Sequence, residues 1–140
     1  MTFDAQMRIG SIEIVAALLA VAVVAVRPRV RPAPEAGRFL PMSVDLEIHE
    51  LGAVRSYLGR PPFEIGRGDL ADLVLRDHEV SRSHARFESR NGVVYVDDLE
   101  SSNGTFLNGR RVTEPIEVRE GDAVDVGTTR MMVKSLKPWT

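Results

Sequence analysis

Four short polar clusters lie between residues 66 and 109: Gly66-Arg67, Ser81-Arg82-Ser83-His84, Ser101-Ser102-Asn103-Gly104-Thr105 and Asn108-Gly109. Together they hold the side chains needed to grip an anion on a peptide. An arginine offers a planar fork of donors, and its charge-assisted bonds to phosphate are among the strong ones. Arg67 is the first candidate for that role. The Ser81 hydroxyl can donate to a phosphate oxygen, and Arg82 beside it adds a second positive charge. Asn103 carries two amide donors and an acceptor oxygen, so it can bond the backbone of an extended peptide on either side of a phosphorylated residue. Gly66 lets the chain turn closely beneath such a site, and Gly104 permits another turn. For Arg67 taken alone, surface pairing with Asp69 or Asp72 is the plainer alternative. His84 has the chemistry of a ligand or a base.

Loops of this kind need a rigid frame. From Ser43 onward the apolar residues alternate: Val44, Leu46 and Ile48 share one face, with Asp45, Glu47 and His49 between them. Short β-type runs follow at 54–58, 62–65, 73–75, 84–90, 93–98, 105–108, 116–118, 123–127 and 131–136. Asn91-Gly92 between two alternating runs is a two-residue hairpin signal, Asn108-Gly109 repeats it, and Gly121-Asp122 marks a further turn. The pattern predicts an all-β sandwich of about ten short strands, with each polar cluster at the end of a run.

The order and spacing of the clusters resemble the forkhead-associated (FHA) domain, a phosphothreonine-binding module, over most of residues 42–136. The resemblance implies an FHA-like sandwich of about ten or eleven strands. It implies that Arg67 and Ser81 contact the phosphate, and that Arg82 assists through its amide or side chain. Ser102 is then expected to support the phosphate or the loop, while Asn103 holds the peptide backbone and sets its direction. His84 is expected to be buried, bracing its loop by hydrogen bonds to neighbouring backbone. Gly66, Gly104, Asn108 and Gly109 are expected to support the site without touching a ligand. The implied partners are a phosphothreonine-containing protein and an upstream Ser/Thr protein kinase, with no cofactor. The resemblance further implies a bacterial, actinobacterial setting. The rival reading is an FHA-fold scaffold that docks a partner on a sheet face, independently of phosphorylation.

Ahead of this region, residues 9–26 form an 18-residue apolar stretch between Arg8 and Arg27, with Glu13 its one charge. As a helix it would be about 27 Å long, close to the thickness of a bilayer's hydrocarbon core. A cleaved signal peptide is the alternative, with Ala20-Val21-Ala22 as its cleavage motif. Arg27, Arg29 and Arg31 favour retention on the cytoplasmic side. The expectation is a flank (1–8), a single-pass anchor (9–26), a linker (27–41), a cytoplasmic domain (42–136) and a short tail (137–140). Four prolines make the linker a semi-rigid spacer. It holds no Ser, Thr or Tyr, so the phosphothreonine is expected on another protein, in trans.

Charge and composition exclude other classes. Residues 1–41 carry a net charge of +2 and residues 42–140 a net charge of −4. A negative domain without a basic stripe is a poor nucleic-acid binder. With no cysteine there is neither a disulfide nor a thiolate metal site, and His49, His78 and His84 lack ligand-like spacing. A triad built from Ser81 or Ser83 with His84 and Asp97 or Asp98 would lack a Gly-x-Ser-x-Gly elbow. No Gly-rich phosphate loop with lysine is present. The chain is therefore not expected to be an enzyme.

Overall fold

Alternation builds the first strand. In β1 (Met42–Glu50), Val44, Leu46 and Ile48 are fully buried on one face, while their neighbours are partly exposed. The structure is a computed structural model and describes residues 40–139. The flank, the apolar stretch at 9–26 and nearly all of the linker lie outside those residues, as does Thr140. Among the described residues no helix is long and apolar enough to cross a membrane.

Ten further strands follow: β2 (Ala53–Gly59), β3 (Phe63–Gly66), β4 (Leu73–Val74), β5 (Ala85–Arg90), β6 (Val93–Asp98), β7 (Thr105–Leu107), β8 (Arg110–Arg111), β9 (Ile116–Glu117), β10 (Ala123–Val126) and β11 (Thr129–Pro138). They form a six-stranded sheet, β2-β1-β11-β10-β7-β8, and a five-stranded sheet, β4-β3-β5-β6-β9. The inner residues of both meet in one core. Phe63 and Phe87 stack there with ring centroids 5.0 Å apart, against Ile65, Val96, Val124 and Met131. Burying a side chain of this size contributes about 1.5–3 kcal/mol, so the core holds the loops to a rigid frame.

Two details differ from the sequence reading. β8 is an extra strand: Arg110-Arg111 has no apolar alternation to announce it. It forms because Asn108 and Gly109, at φ 49° and 81°, fold the chain back onto β7. And residues 137–139 are not a free tail. β11 pairs through Lys137 and Pro138 with Ser43 and Met42, and the Trp139 N–H donates to Pro41 O at 2.7 Å. Arg60 lies 3.2 Å over the Trp139 ring and covers the end of the strand.

Candidate functional site

β3 delivers Gly66 and Arg67 to one end of the sandwich. The loop between β4 and β5 returns alongside and is stitched to them. Arg67 N–H donates to Ser81 O (2.9 Å), Gly68 N–H to Arg82 O (3.1 Å), and His84 N–H to Ile65 O (2.9 Å). A Cβ on Gly66 would lie 2.0 Å from Arg82 O, so this backbone approach requires glycine. The Arg67 side chain is exposed, and its Nε donates to Val80 O at 3.1 Å. That bond aims the guanidinium and leaves its two terminal nitrogens for another acceptor. Arg67 does not pair with Asp72, whose carboxylate instead takes the Glu64 amide at 2.8 Å. Nor is Asp69 its partner among the described ion pairs.

His84 is fully buried. Its Nδ1 accepts the Ser81 N–H at 3.0 Å, so the ring proton sits on Nε2 and is donated to Gly104 O at 2.9 Å. One imidazole thus joins the β4–β5 loop to the β6–β7 loop. It takes the Ser81 amide rather than the hydroxyl, so it offers no base to a serine nucleophile. Ser83 points elsewhere and donates to Glu64 at 2.5 Å.

The β6–β7 loop carries Ser102 and Asn103, both exposed. The Ser102 N–H donates to Ser81 Oγ at 3.0 Å, and Asn103 Nδ2 donates to Glu79 O at 2.8 Å. The Ser81 hydroxyl proton, the Asn103 carbonyl and the second Asn103 N–H remain for a further partner. Arg82 is exposed beside them, while its carbonyl serves Gly68. Gly104, at φ 87°, makes the turn into β7.

Asp98 shapes this loop from inside. It accepts the Ser101 N–H (3.1 Å), the Ser101 hydroxyl (2.6 Å) and the Thr105 hydroxyl (2.7 Å). Burial pushes its carboxyl up, but the hydrogen bonds from Ser101 and Thr105 prevail and hold it below the usual carboxylate value. Asp77 does the same for the β4–β5 loop. It is buried and accepts Glu79 N–H at 2.9 Å, Thr128 N–H and Thr128 Oγ1 at 2.7 Å, and Thr129 Oγ1 at 2.9 Å. Burial raises this carboxyl, yet the hydrogen bonds from Thr128, Glu79 and Thr129 bring it down to about 2.

Arg67, Ser81, Arg82, Ser102 and Asn103 therefore meet around the backbone of residues 79–82. Gly66, His84 and Gly104 lie directly beneath. Asn108 and Gly109 do not join this cluster. Asn108 donates to Asp122 and accepts the Ala123 N–H, both at 2.9 Å, which ties its hairpin to the turn before β10. Sequence reasoning missed Asp77, the loop-shaping role of Asp98 and the carbonyls of Glu79 and Val80. Local spacing could have suggested the aspartates, because Asp77-x-Glu79 and Asp98-x-x-Ser101 are side-chain-to-backbone turn patterns. The carbonyls have no residue-type signal.

The FHA domain family model matches residues 63–127. FHA domain-containing protein FhaB of Mycolicibacterium smegmatis is 43% identical over 79 residues, which cover 56% of this chain and 51% of that protein. The chain spans about half the length of the FhaB relatives it matches. A solved structure from a structural and functional analysis of phosphothreonine-dependent FHA domain interactions is 33% identical, with a TM-score of 0.61 over 69% of this chain and 99% of that one. The crystal structure of the FhaA FHA domain complexed with the intracellular domain of Rv3910 is also 33% identical, with a TM-score of 0.60 over 66% of this chain and all of that one.

Proposed function

This chain belongs to the FHA domain family, and from that premise we propose that it is a phosphothreonine-peptide-binding signalling module tethered to the membrane. The observation that carries the reading is the convergence of two loops, β3–β4 and β6–β7, on residues 79–81 of a third. Arg67 Nε, Asn103 Nδ2 and the Ser102 amide donate to Val80 O, Glu79 O and Ser81 Oγ respectively. The side chains of Arg67, Ser81 and Asn103 are each held by one bond and keep donors or acceptors in reserve. A phosphate brings a charge of about −1.5 to −2 and three acceptor oxygens. The free nitrogens of Arg67 and the Ser81 hydroxyl bind it, with Arg82 and Ser102 at the rim. Asn103 uses its remaining N–H and its carbonyl on the peptide backbone.

In this reading residues 9–26 anchor the chain as a single-pass helix, and Arg27, Arg29 and Arg31 keep the FHA domain in the cytoplasm. Residues 27–41 space the domain from the bilayer. The partner is a protein phosphorylated on threonine by a Ser/Thr kinase and bound in trans. The crystal structure of the FhaA FHA domain complexed with the intracellular domain of a second protein supports a protein partner bound in trans.

The test is calorimetric titration of the full chain, in detergent, with a phosphothreonine peptide and its unphosphorylated twin. The phosphopeptide should bind and the twin should not. Arg67→Ala should weaken binding by about 2–4 kcal/mol, the loss of a charge-assisted phosphate contact, with the melting temperature unchanged. Equal binding of the two peptides would favour the phosphorylation-independent scaffold instead. Unchanged affinity in a folded Arg67→Ala chain would refute the site.

A further inference from the structure

The hairpin after β7 carries two exposed arginines, Arg110 and Arg111. Its register sets Arg111 opposite Phe106, the middle residue of β7, one residue from the end where the β6–β7 loop arrives. The guanidinium of Arg111 lies along that loop. A Cβ built on Gly104 would stand 3.2 Å from Nε, 3.3 Å from Cζ and 3.4 Å from Nη2. A side chain at 104 would press on the guanidinium, so the glycine that makes the turn also clears its seat. The charged head therefore rests one residue from Asn103.

Most of the other structured arginines have an answer to their charge. Arg55, Arg86, Arg90, Arg119 and Arg130 each lie beside a Glu or Asp. Among the described residues Arg110 and Arg111 have no such carboxylate, and neither do Arg60, Arg67, Arg76 and Arg82. In a domain of net charge −4, three of these guanidinium groups lie on or against the loops that hold Ser81 and Asn103: Arg82 on the Ser81 loop, Arg67 stitched to it and Arg111 beside Gly104. A guanidinium already laid against backbone loses little freedom when an anion arrives, and its fork matches a carboxylate.

We propose that Arg111 is a second anion-binding group that takes the carboxylate of an Asp or Glu flanking the phosphothreonine, with Arg110 adding to the local field. This rests on the phosphopeptide reading of the site. An extended peptide advances about 3.3 Å per residue. A side chain a few positions from the phosphothreonine accordingly comes alongside the loop on which Asn103 and Arg111 meet. The chain then selects acidic phosphothreonine segments over neutral ones.

The probe is a set of phosphothreonine peptides with Ala and Gly flanks, carrying a single Glu at each position from three before to three after the phosphothreonine. Each has a Gln twin. Affinities are measured for the full chain in detergent and for its Arg111→Gln and Arg111→Lys variants. In the unmodified chain at least one Glu peptide should bind about three- to fivefold more tightly than its twin, as expected for a partly exposed ion pair. Arg111→Gln should abolish that ratio while binding the all-neutral phosphopeptide as before. Arg111→Lys should keep the charge, lose the fork and retain part of the ratio, which serves as the folded control. A Glu-to-Gln ratio near one at every position, or a ratio that survives Arg111→Gln, overturns the role of Arg111 while leaving phosphopeptide binding intact. Failure of the neutral phosphopeptide to bind any form overturns both readings.

Discussion

Replacing Asp77 by Asn should destabilise the domain in a pH-dependent way that isolates one buried carboxylate. The side chain barely changes size, so packing is preserved. What changes is the charge and one set of acceptors. Oδ1 takes the Glu79 N–H, and Oδ2 takes Thr128 N–H, Thr128 Oγ1 and Thr129 Oγ1. An Asn side chain keeps one oxygen, so its NH2 must face at least one backbone N–H, which costs about 1–3 kcal/mol. The carboxyl lies at about 2 against an ordinary 3.8. At 1.36 kcal/mol per pH unit, that depression corresponds to about 2 kcal/mol of folding stability. The two effects together come to about 3–5 kcal/mol near neutrality. Because the folded value is the lower one, Asp77's share is fully present above the unfolded value and is lost as pH falls through the folded one. Urea unfolding of both proteins between pH 7 and pH 2 gives the difference directly, and carboxyls such as Asp98 titrate in both and cancel. The difference should be flat above about pH 5 and shrink by about 2 kcal/mol by pH 2. A difference independent of pH, or an Asp77→Asn protein as stable as the parent, would refute the assignment.

His84→Ala should lower stability by about 2–4 kcal/mol, because the Ser81 N–H and Gly104 O both lose their partner, and phosphopeptide affinity should fall with it. Normal melting with binding abolished would point instead to a direct ligand contact. Gly66→Ala should cost about 3 kcal/mol in chemical unfolding, since the new Cβ meets the Arg82 carbonyl and the stitched loop must move. A variant that melts like the parent would contradict that close approach. Protease added to intact cells should spare the domain if it faces the cytoplasm, and digestion from outside would overturn the proposed topology.

What the sequence determined by itself is what short-range rules govern. A period of two placed Val44, Leu46 and Ile48 in the core, because a strand that buries one face has no other way to sort its side chains. Asn91-Gly92 and Asn108-Gly109 announced their turns because few other residue pairs take positive φ twice in succession. The residue types at 67, 81 and 103 limited the chemistry to donors for an anion and a peptide. Tertiary structure decided the rest. Arg67 and Asn103 are both aimed by carbonyls, at Val80 and Glu79, and a carbonyl looks the same in every residue. Asp77 finds Thr128 and Thr129 only because the β10–β11 hairpin turns beside the β4–β5 loop. Whether Arg67 met Asp72 or stayed open, and whether Arg111 lay in solvent or against Gly104, depended on where separate strands end in space. No local rule carries that information, since these contacts join residues that only the packed core brings together.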